Sequence, residues 1–247
     1  MTAELNLLSL LGIAFVAFLY SSVGHGGASG YLAILSFFSV AAPEMGTSAL
    51  LLNCLVSVVA FLAFLRAGHF SLRLTWPFLV ASIPAALVGG ALPISTLVYK
   101  LLLATTLGFA AFRLSLQTPR ESFLSHRHTP SLVVALPVGG GIGLLSGMVG
   151  VGGGIFLSPI LLLKGWASPK QVATTTSLFI LVNSIAGLVG RWMNGTFALG
   201  NLLPWVVAAL MGGFIGAHLG ANHFSGVTLR RLLAVVLGVA ALKLIVT

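Results

Sequence analysis

Two short glycine-rich stretches have the residue types and spacing that best suit a binding site in this 247-residue sequence. The first reads GHGGASG from Gly24, and the second reads GVGGG from Gly150. We call residues 24–27 the first glycine break and residues 150–154 the second glycine break. A hydrophobic run follows each break, at residues 28–40 and 153–163. As helices, these runs would be only about 20 Å and about 16 Å long, respectively. Both runs are therefore too short to cross roughly 30 Å of hydrocarbon.

A helix that begins after each break would direct unpaired N–H groups and about half a positive charge toward the break. Because glycine lets the backbone approach a ligand closely, two converging helix ends suit a small oxyanion. The acidic residues Glu4, Glu44 and Glu121 all lie at a terminus or in a predicted loop. Cation sites and proton relays in membranes need an embedded carboxylate, so the sequence favours an anion as the transported species.

Polar residues near the breaks complete the predicted site. His25 could donate to an anion or act as a proton switch, or it could be a hydrogen-bonded structural histidine. The predicted substrate-binding residues are Gly24, His25, Gly26, Gly27, Ser29, Thr47, Ser48, Gly150, Gly152, Gly153, Gly154, Thr174 and Asn183. Asn53, Ser158 and Thr175 could also line a site, and interhelical hydrogen bonding is the alternative role of all these hydroxyl and amide groups. No catalytic residue, metal ligand or cofactor is predicted.

The elements that hold these residues are predicted to be membrane helices. Hydrophobic residues make up 58% of the chain and charged residues only 6%, whereas about a quarter of a soluble domain is charged. Ten hydrophobic segments are predicted: 5–22, 28–40, 47–65, 74–92, 98–114, 132–148, 153–163, 172–190, 201–220 and 230–246. The basic residues are scattered at segment ends rather than clustered, which excludes a nucleic-acid-binding patch.

The ten segments form two copies of one pattern. GHGGASGYLAIL from Gly24 matches GVGGGIFLSPIL from Gly150, and GHFSL from Gly68 matches GTFAL from Gly195. Since each half has an odd number of segments, the second copy should enter the membrane inverted. We predict a first repeat at 1–114, a cytoplasmic linker at 115–130 and a second repeat at 131–247.

The distribution of charge predicts the orientation. With alternating segments, nine of the 12 Lys and Arg residues fall on one side, so by the positive-inside rule the linker is cytoplasmic and both termini are outside. The same split results whether the two short segments cross or are re-entrant, so eight to ten transmembrane helices are predicted. Arg66 and Arg191 are at the ends of corresponding segments of the two halves. They are predicted to be lipid anchors, and the alternative is that they attract anions at the two ends of the transport path.

The glycine signatures GHGGASG and GMVGVGGG resemble those of the TauE/SafE sulfite-exporter family, also called the toluene-sulfonate uptake permease family. Pro43 with Thr47 and Ser48, and Pro169 with Thr174, match a second family motif. The resemblance covers nearly the whole chain, although His25 and Ser29 depart from a plain glycine run.

This resemblance implies a prokaryotic, multi-pass transporter of the cytoplasmic membrane that moves sulfite, sulfonates or related small organic anions. We expect export rather than uptake. The expected partners are a small anionic substrate and the lipid bilayer, without nucleic acid, and a homodimer is left open.

Two other functions are compatible with parts of the sequence. A passive anion channel would have the same composition as a carrier. GASG at Gly27 and AHLGA at Ala217 resemble the motifs of rhomboid intramembrane proteases, with Ser29 as nucleophile and His218 as base. The duplication already explains the glycine motif, and its second copy has no matching serine, so we predict that the protein is not an enzyme.

Overall fold

The computed structural model describes residues 7–37, 42–92, 130–200, 202–225, 227–228, 231–232 and 235. These residues form helices and turns, and none of them is in a β-strand. The helices are α1 Leu7–Ser22, α2 Ala28–Phe37, α3 Ala42–Arg66, α4 Leu72–Ala91, α5 Leu132–Val149, α6 Gly154–Leu163, α7 Pro169–Met193 and α8 Leu203–Asn222. Predicted segment 98–114, most of 230–246 and nearly all of the predicted linker lie outside the described residues.

Five of these helices are long and apolar enough to cross a membrane, namely α3 from Glu44 onward, α4, α5, α7 and α8. Large apolar side chains lie on their outer surfaces; Val133 is 83% exposed and Phe214 is 65% exposed. Lipid is the solvent that suits such a surface. The chain is therefore an all-helical membrane protein in the part that the structure describes, while ten segments and an inverted repeat stay predictions.

The two glycine breaks are each followed by a short helix, as predicted. α2 and α6 have ten residues each, which corresponds to about 15 Å. By contrast, α3 and α7 have 25 residues each and begin earlier than predicted segments 47–65 and 172–190. Proline is tolerated in the first helical turn because that turn has no intrahelical acceptor for its N–H groups. In α7, Ser168 and Gln171 also form a capping box around Pro169.

Two pairs of parallel helices flank the centre. Three glycines at four-residue intervals on α5 pack against the α4 backbone, and three on α8 pack against α1 in the same way. The residue pairs are Gly139–Phe78, Gly143–Ser82, Gly147–Ala86, Gly212–Ala14, Gly216–Phe18 and Gly220–Ser22, and a Cβ at any of these glycines would overlap the facing backbone oxygen. Gly89 and Gly90 likewise pack against Leu144 and Gly187. Small residues allow such close helix approach in membranes.

α3 and α7 run antiparallel at the centre of the molecule. The Asn53 Nδ2 group donates to Ser184 Oγ at 2.9 Å, and one turn away a Cβ at Gly187 would lie 3.7 Å from Leu50 Cδ1. The start of α7 is close to the ends of α1 and α8, since the Lys170 ammonium donates to the Ala221 carbonyl at 3.0 Å. α1, α3 and α8 therefore point in one direction, and α4, α5 and α7 point in the other.

Candidate functional site

The first glycine break rests on the N-terminal part of α7. The Thr176 hydroxyl donates to the Gly24 carbonyl at 3.2 Å. A Cβ at Gly24 would overlap the backbone of Ala173, so only glycine permits this contact. The chain between α1 and α2 is thus held by a helix of the second half of the sequence.

The second glycine break packs against the middle of α7. Gly152 and Gly153 have left-handed backbone angles, with φ of 76° and 80°. A Cβ at Gly152 would lie 2.7 Å from Ile180 Cγ2, and one at Gly153 would lie 2.8 Å from Phe179 Cε1. There is consequently no space for a side chain at either position, and the backbone itself is the surface of this break.

Asn53, on α3, joins the two breaks. Its Oδ1 accepts from the Ala28 N–H at 3.2 Å, at the start of α2, while its Nδ2 lies 3.4 Å from the Val151 carbonyl. A Cβ at either Gly26 or Gly152 would overlap the Asn53 amide. One fully buried side chain therefore touches both breaks, and the start of α2 and the second break lie within the reach of that amide.

Asn53 could line a site by its residue type but is not among the predicted substrate-binding residues, and the repeat gives no signal for it. The 126-residue shift that superimposes the glycine motifs pairs Asn53 with Phe179. An asparagine in an apolar segment could have indicated a binding residue, but an asparagine that only forms an interhelical hydrogen bond has the same sequence pattern. Its position between the breaks becomes evident only in three dimensions.

His25 links the first break to α6. Its Nδ1 lies 3.1 Å from the Val23 carbonyl and its Nε2 lies 3.0 Å from Ser158 Oγ, which is also 2.9 Å from the Gly154 carbonyl. Since a carbonyl only accepts, the neutral ring places its proton on Nδ1 and accepts from Ser158 at Nε2. A second proton on Nε2 would turn the Ser158 hydroxyl toward Gly154. The imidazole therefore has hydrogen-bond partners in either protonation state.

Several buried polar atoms have no hydrogen-bond partner among the described residues. The hydroxyls of Tyr31, Ser57 and Ser146 are beside the breaks, and both amide atoms of Asn183, in the middle of α7, are also unpartnered. A Cβ at Gly27 would lie 2.8 Å from the Tyr31 hydroxyl oxygen, and one at Gly26 would lie 2.6 Å from Ser57 Oγ. A buried unpaired polar group costs about 1–3 kcal/mol. A polar ligand at the breaks could supply the missing partners.

The other predicted site residues have partners of their own. The Ser29 hydroxyl is 2.9 Å from the Tyr20 hydroxyl, and the Thr174 hydroxyl donates to the Lys170 carbonyl at 2.9 Å. Thr47 Oγ1 accepts from the Ala198 N–H at 3.4 Å. Ser48 is buried, and its hydroxyl has no partner among the described residues. Thr47, Ser48 and Thr174 thus lie in the second turns of α3 and α7.

A family model described as "Sulfite exporter TauE/SafE" matches residues 9–244. The chain belongs to the TauE/SafE sulfite-exporter family. A protein of Sinorhizobium fredii described as "Probable membrane transporter protein y4hK" is 38% identical over 240 residues, which cover 95% of this chain and 97% of that protein. A "Probable membrane transporter protein" of Xylella fastidiosa is 29% identical over 91 residues, 36% of this chain and 35% of that protein. No solved structure matches the chain.

The family resemblance predicted from the glycine signatures is therefore confirmed. Members of the TauE/SafE family and the relative from Sinorhizobium fredii are membrane transporters rather than enzymes. In this TauE/SafE chain, Ser29 is bonded to Tyr20, whereas His218 is on the outer surface of α8 and its ring nitrogen lies 3.3 Å from the Asn222 amide. The two residues do not form the dyad that a serine protease needs.

Arg191 lies at the second break of this TauE/SafE transporter. It is in the last turn of α7 and is partly buried. A Cβ at Gly46 would lie 2.8 Å from its Nη1, and one at Gly150 would lie 3.1 Å from its Nη2. Two residues without side chains leave space for the guanidinium there, so its head group packs against protein, and its role as a lipid anchor stays a prediction. Arg66, its counterpart in the first half, is exposed.

Proposed function

We propose that this TauE/SafE transporter moves small sulfur-containing anions across the cytoplasmic membrane in the direction of export. Sulfite, sulfonates or related organic anions are the proposed substrates. The anion binds where the paired glycine breaks meet. The observation that carries the proposal is the position of Asn53, which contacts the start of α2 on one side and the second break on the other.

The helix ends at this location favour a negative charge. α2 begins at Ala28, directly after the first break, and α6 begins at Gly154, the last residue of the second break. Each start offers N–H groups without intrahelical acceptors and a partial positive charge. The unpartnered hydroxyls of Tyr31, Ser57 and Ser146 add donors. Each helix end typically contributes 0.3–1 kcal/mol, which suits an anion that must also be released on the far side.

The architecture that we propose is the inverted repeat, with the short helices α2 and α6 as corresponding elements. The opposite directions of α1 and α5, of α3 and α7, and of α4 and α8 support it. We propose that both termini lie outside and that the linker lies in the cytoplasm. The hydrogen bond between Ser158 and His25 then connects the first break with the short helix of the other repeat.

The membrane potential is the simplest driving force for this export. In an inside-negative cell it favours expulsion of each negative charge by about 2.3 kcal/mol per 100 mV. Among the described residues the one acidic side chain is Glu44, in the first turn of α3, where its carboxylate packs against Gly200. The carboxylate relays by which many transporters couple protons or sodium therefore have no counterpart at the breaks.

Proteoliposomes with an imposed potential and no pH gradient test this proposal. We expect sulfite or methanesulfonate to follow the potential with saturable flux and to exchange across the membrane with unlabelled substrate. Flux that never saturates would indicate a passive channel. Flux that ignores the potential and follows a pH gradient would contradict potential-driven export and identify His25 as the coupling residue. If His25 has that role, His25→Gln should abolish the pH response.

A further inference from the structure

The Arg191 guanidinium lies between two helices at a place where both lack a side chain. Gly46 belongs to the second turn of α3, and Gly150 ends α5. A Cβ at Gly46 would lie 2.8 Å from Nη1, and a Cβ at Gly150 would lie 3.1 Å from Nη2. Alanine at either position would press on the guanidinium. The pair of glycines thus forms a slot that fits a flat, positively charged group.

Arg191 differs in this respect from the other described cationic residues. Lys170 donates to the Ala221 carbonyl at the opposite end of α7. The remaining described Lys and Arg side chains are exposed, namely Arg66, Arg73, Lys164 and Arg231. Among the residues that the structure describes, Arg191 is therefore the full positive charge that touches a glycine break.

The two breaks are closed differently. At the first break, Gly24 packs directly on the backbone of Ala173. The 126-residue shift of the repeat pairs Gly24 with Gly150 and Ala173 with Thr47. At Gly150, however, the nearest atom belongs to Arg191, and no Thr47 atom is among the closest contacts. A flexible side chain therefore fills at the second break the position that backbone occupies at the first.

We propose that Arg191 forms a second binding site for small oxyanions, at the end of the second break where α3 begins. A planar guanidinium can bind two oxygens of sulfite, sulfate or a sulfonate through parallel N–H groups. The guanidinium is beside Gly150, so an anion that it binds would lie next to the break that Asn53 contacts. On the proposed topology this end faces outside. The identity of the transported anion rests on the proposed function, but binding of an oxyanion does not.

The test measures the thermal unfolding midpoint of the purified full-length protein in detergent. Sodium sulfite, sulfate and methanesulfonate are compared with sodium chloride at matched ionic strength. We expect at least one oxyanion to raise the midpoint of the wild-type protein above the value in chloride. Arg191→Gln should weaken the apparent affinity for that anion about tenfold or more, because charge-assisted pairs are the strong ones. Arg66→Gln, which removes an exposed charge at the corresponding position, should leave the affinity unchanged.

Arg191→Lys keeps the charge and serves if Arg191→Gln does not fold. It should bind the oxyanion more weakly than the wild type, because an ammonium group lacks the paired donors. Equal affinities in the wild type and the Arg191 variant would overturn the inference. So would a wild-type protein that no oxyanion stabilises more than chloride. Oxyanion binding that requires Arg191, together with no sulfite or sulfonate flux in proteoliposomes, would contradict the proposed function while leaving this site intact.

Discussion

Replacement of Gly152 by alanine is the sharpest perturbation of the site. The backbone at Gly152 has φ of 76°, and a Cβ there would overlap the Asn53 amide and lie 2.8 Å from Ser184 Oγ. The methyl group would therefore strain the second break and displace the side chain that connects it to the first. Few other substitutions of one methyl group could affect both breaks.

The magnitude follows from three separate costs. A left-handed backbone with a side chain costs roughly 1–2 kcal/mol. An extra methyl group in a packed interior typically costs 1–3 kcal/mol. Loss of the hydrogen bond from Asn53 to Ser184 costs about 1 kcal/mol. We expect Gly152→Ala to destabilise the protein by about 3–6 kcal/mol and to abolish transport while membrane insertion is retained.

Two glycines provide matched controls within the same chain. Gly195 also has a positive φ, 68°, but nothing lies within 4 Å of its Cβ position, so Gly195→Ala isolates the backbone strain. Gly141 is helical with equally open space, so Gly141→Ala should have little effect. The assays are thermal unfolding of each purified variant and substrate flux in proteoliposomes. Flux by Gly152→Ala at the rate of Gly195→Ala, with a similar midpoint, would refute the idea that this break requires a bare backbone.

Two further predictions concern the connection between the breaks and the topology. Asn53→Ala removes the partner of the Ala28 N–H and one partner of the Ser184 hydroxyl. We therefore expect a loss of about 2–3 kcal/mol in the free energy of unfolding and a marked loss of flux, whereas Asn222→Ala on the surface of α8 should change neither. For the proposed orientation, a cysteine at Ser122 should react with a membrane-impermeant thiol reagent only after the cells are opened, and one at Thr247 should react in intact cells. Labelling of Ser122 but not Thr247 in intact cells would reverse the orientation.

The glycine breaks and the short helices after them could be predicted from the sequence. Residues 28–37 and 154–163 are helices that begin within one residue of the predicted starts, because a run of apolar residues after clustered glycines has few other options. The packing role of Gly89–Gly90 and Gly212–Gly213 could also be predicted from the sequence. A small residue within a long apolar segment indicates a close neighbour even when that neighbour is unknown.

The starts of α3 and α7 show where local pattern was insufficient. Hydropathy placed them at residues 47 and 172, while the structure extends them to Ala42 and Pro169. Polar or proline-containing first turns lower the mean hydropathy of a segment without preventing a helix. The capping box of Ser168 and Gln171 was visible in the sequence and could have corrected the second of these boundaries.

The sequence by itself determined that the chain is a membrane transporter of the TauE/SafE family with two glycine breaks, because composition, length and repeated motifs are local properties of the chain. Only the tertiary structure decided which side chains meet at those breaks. Asn53 is 98 residues from Val151, and Arg191 is on another helix from Gly46 and Gly150. Contacts of this kind depend on the antiparallel packing of α3 against α7, which sets the register between distant residues and which no hydropathy pattern encodes.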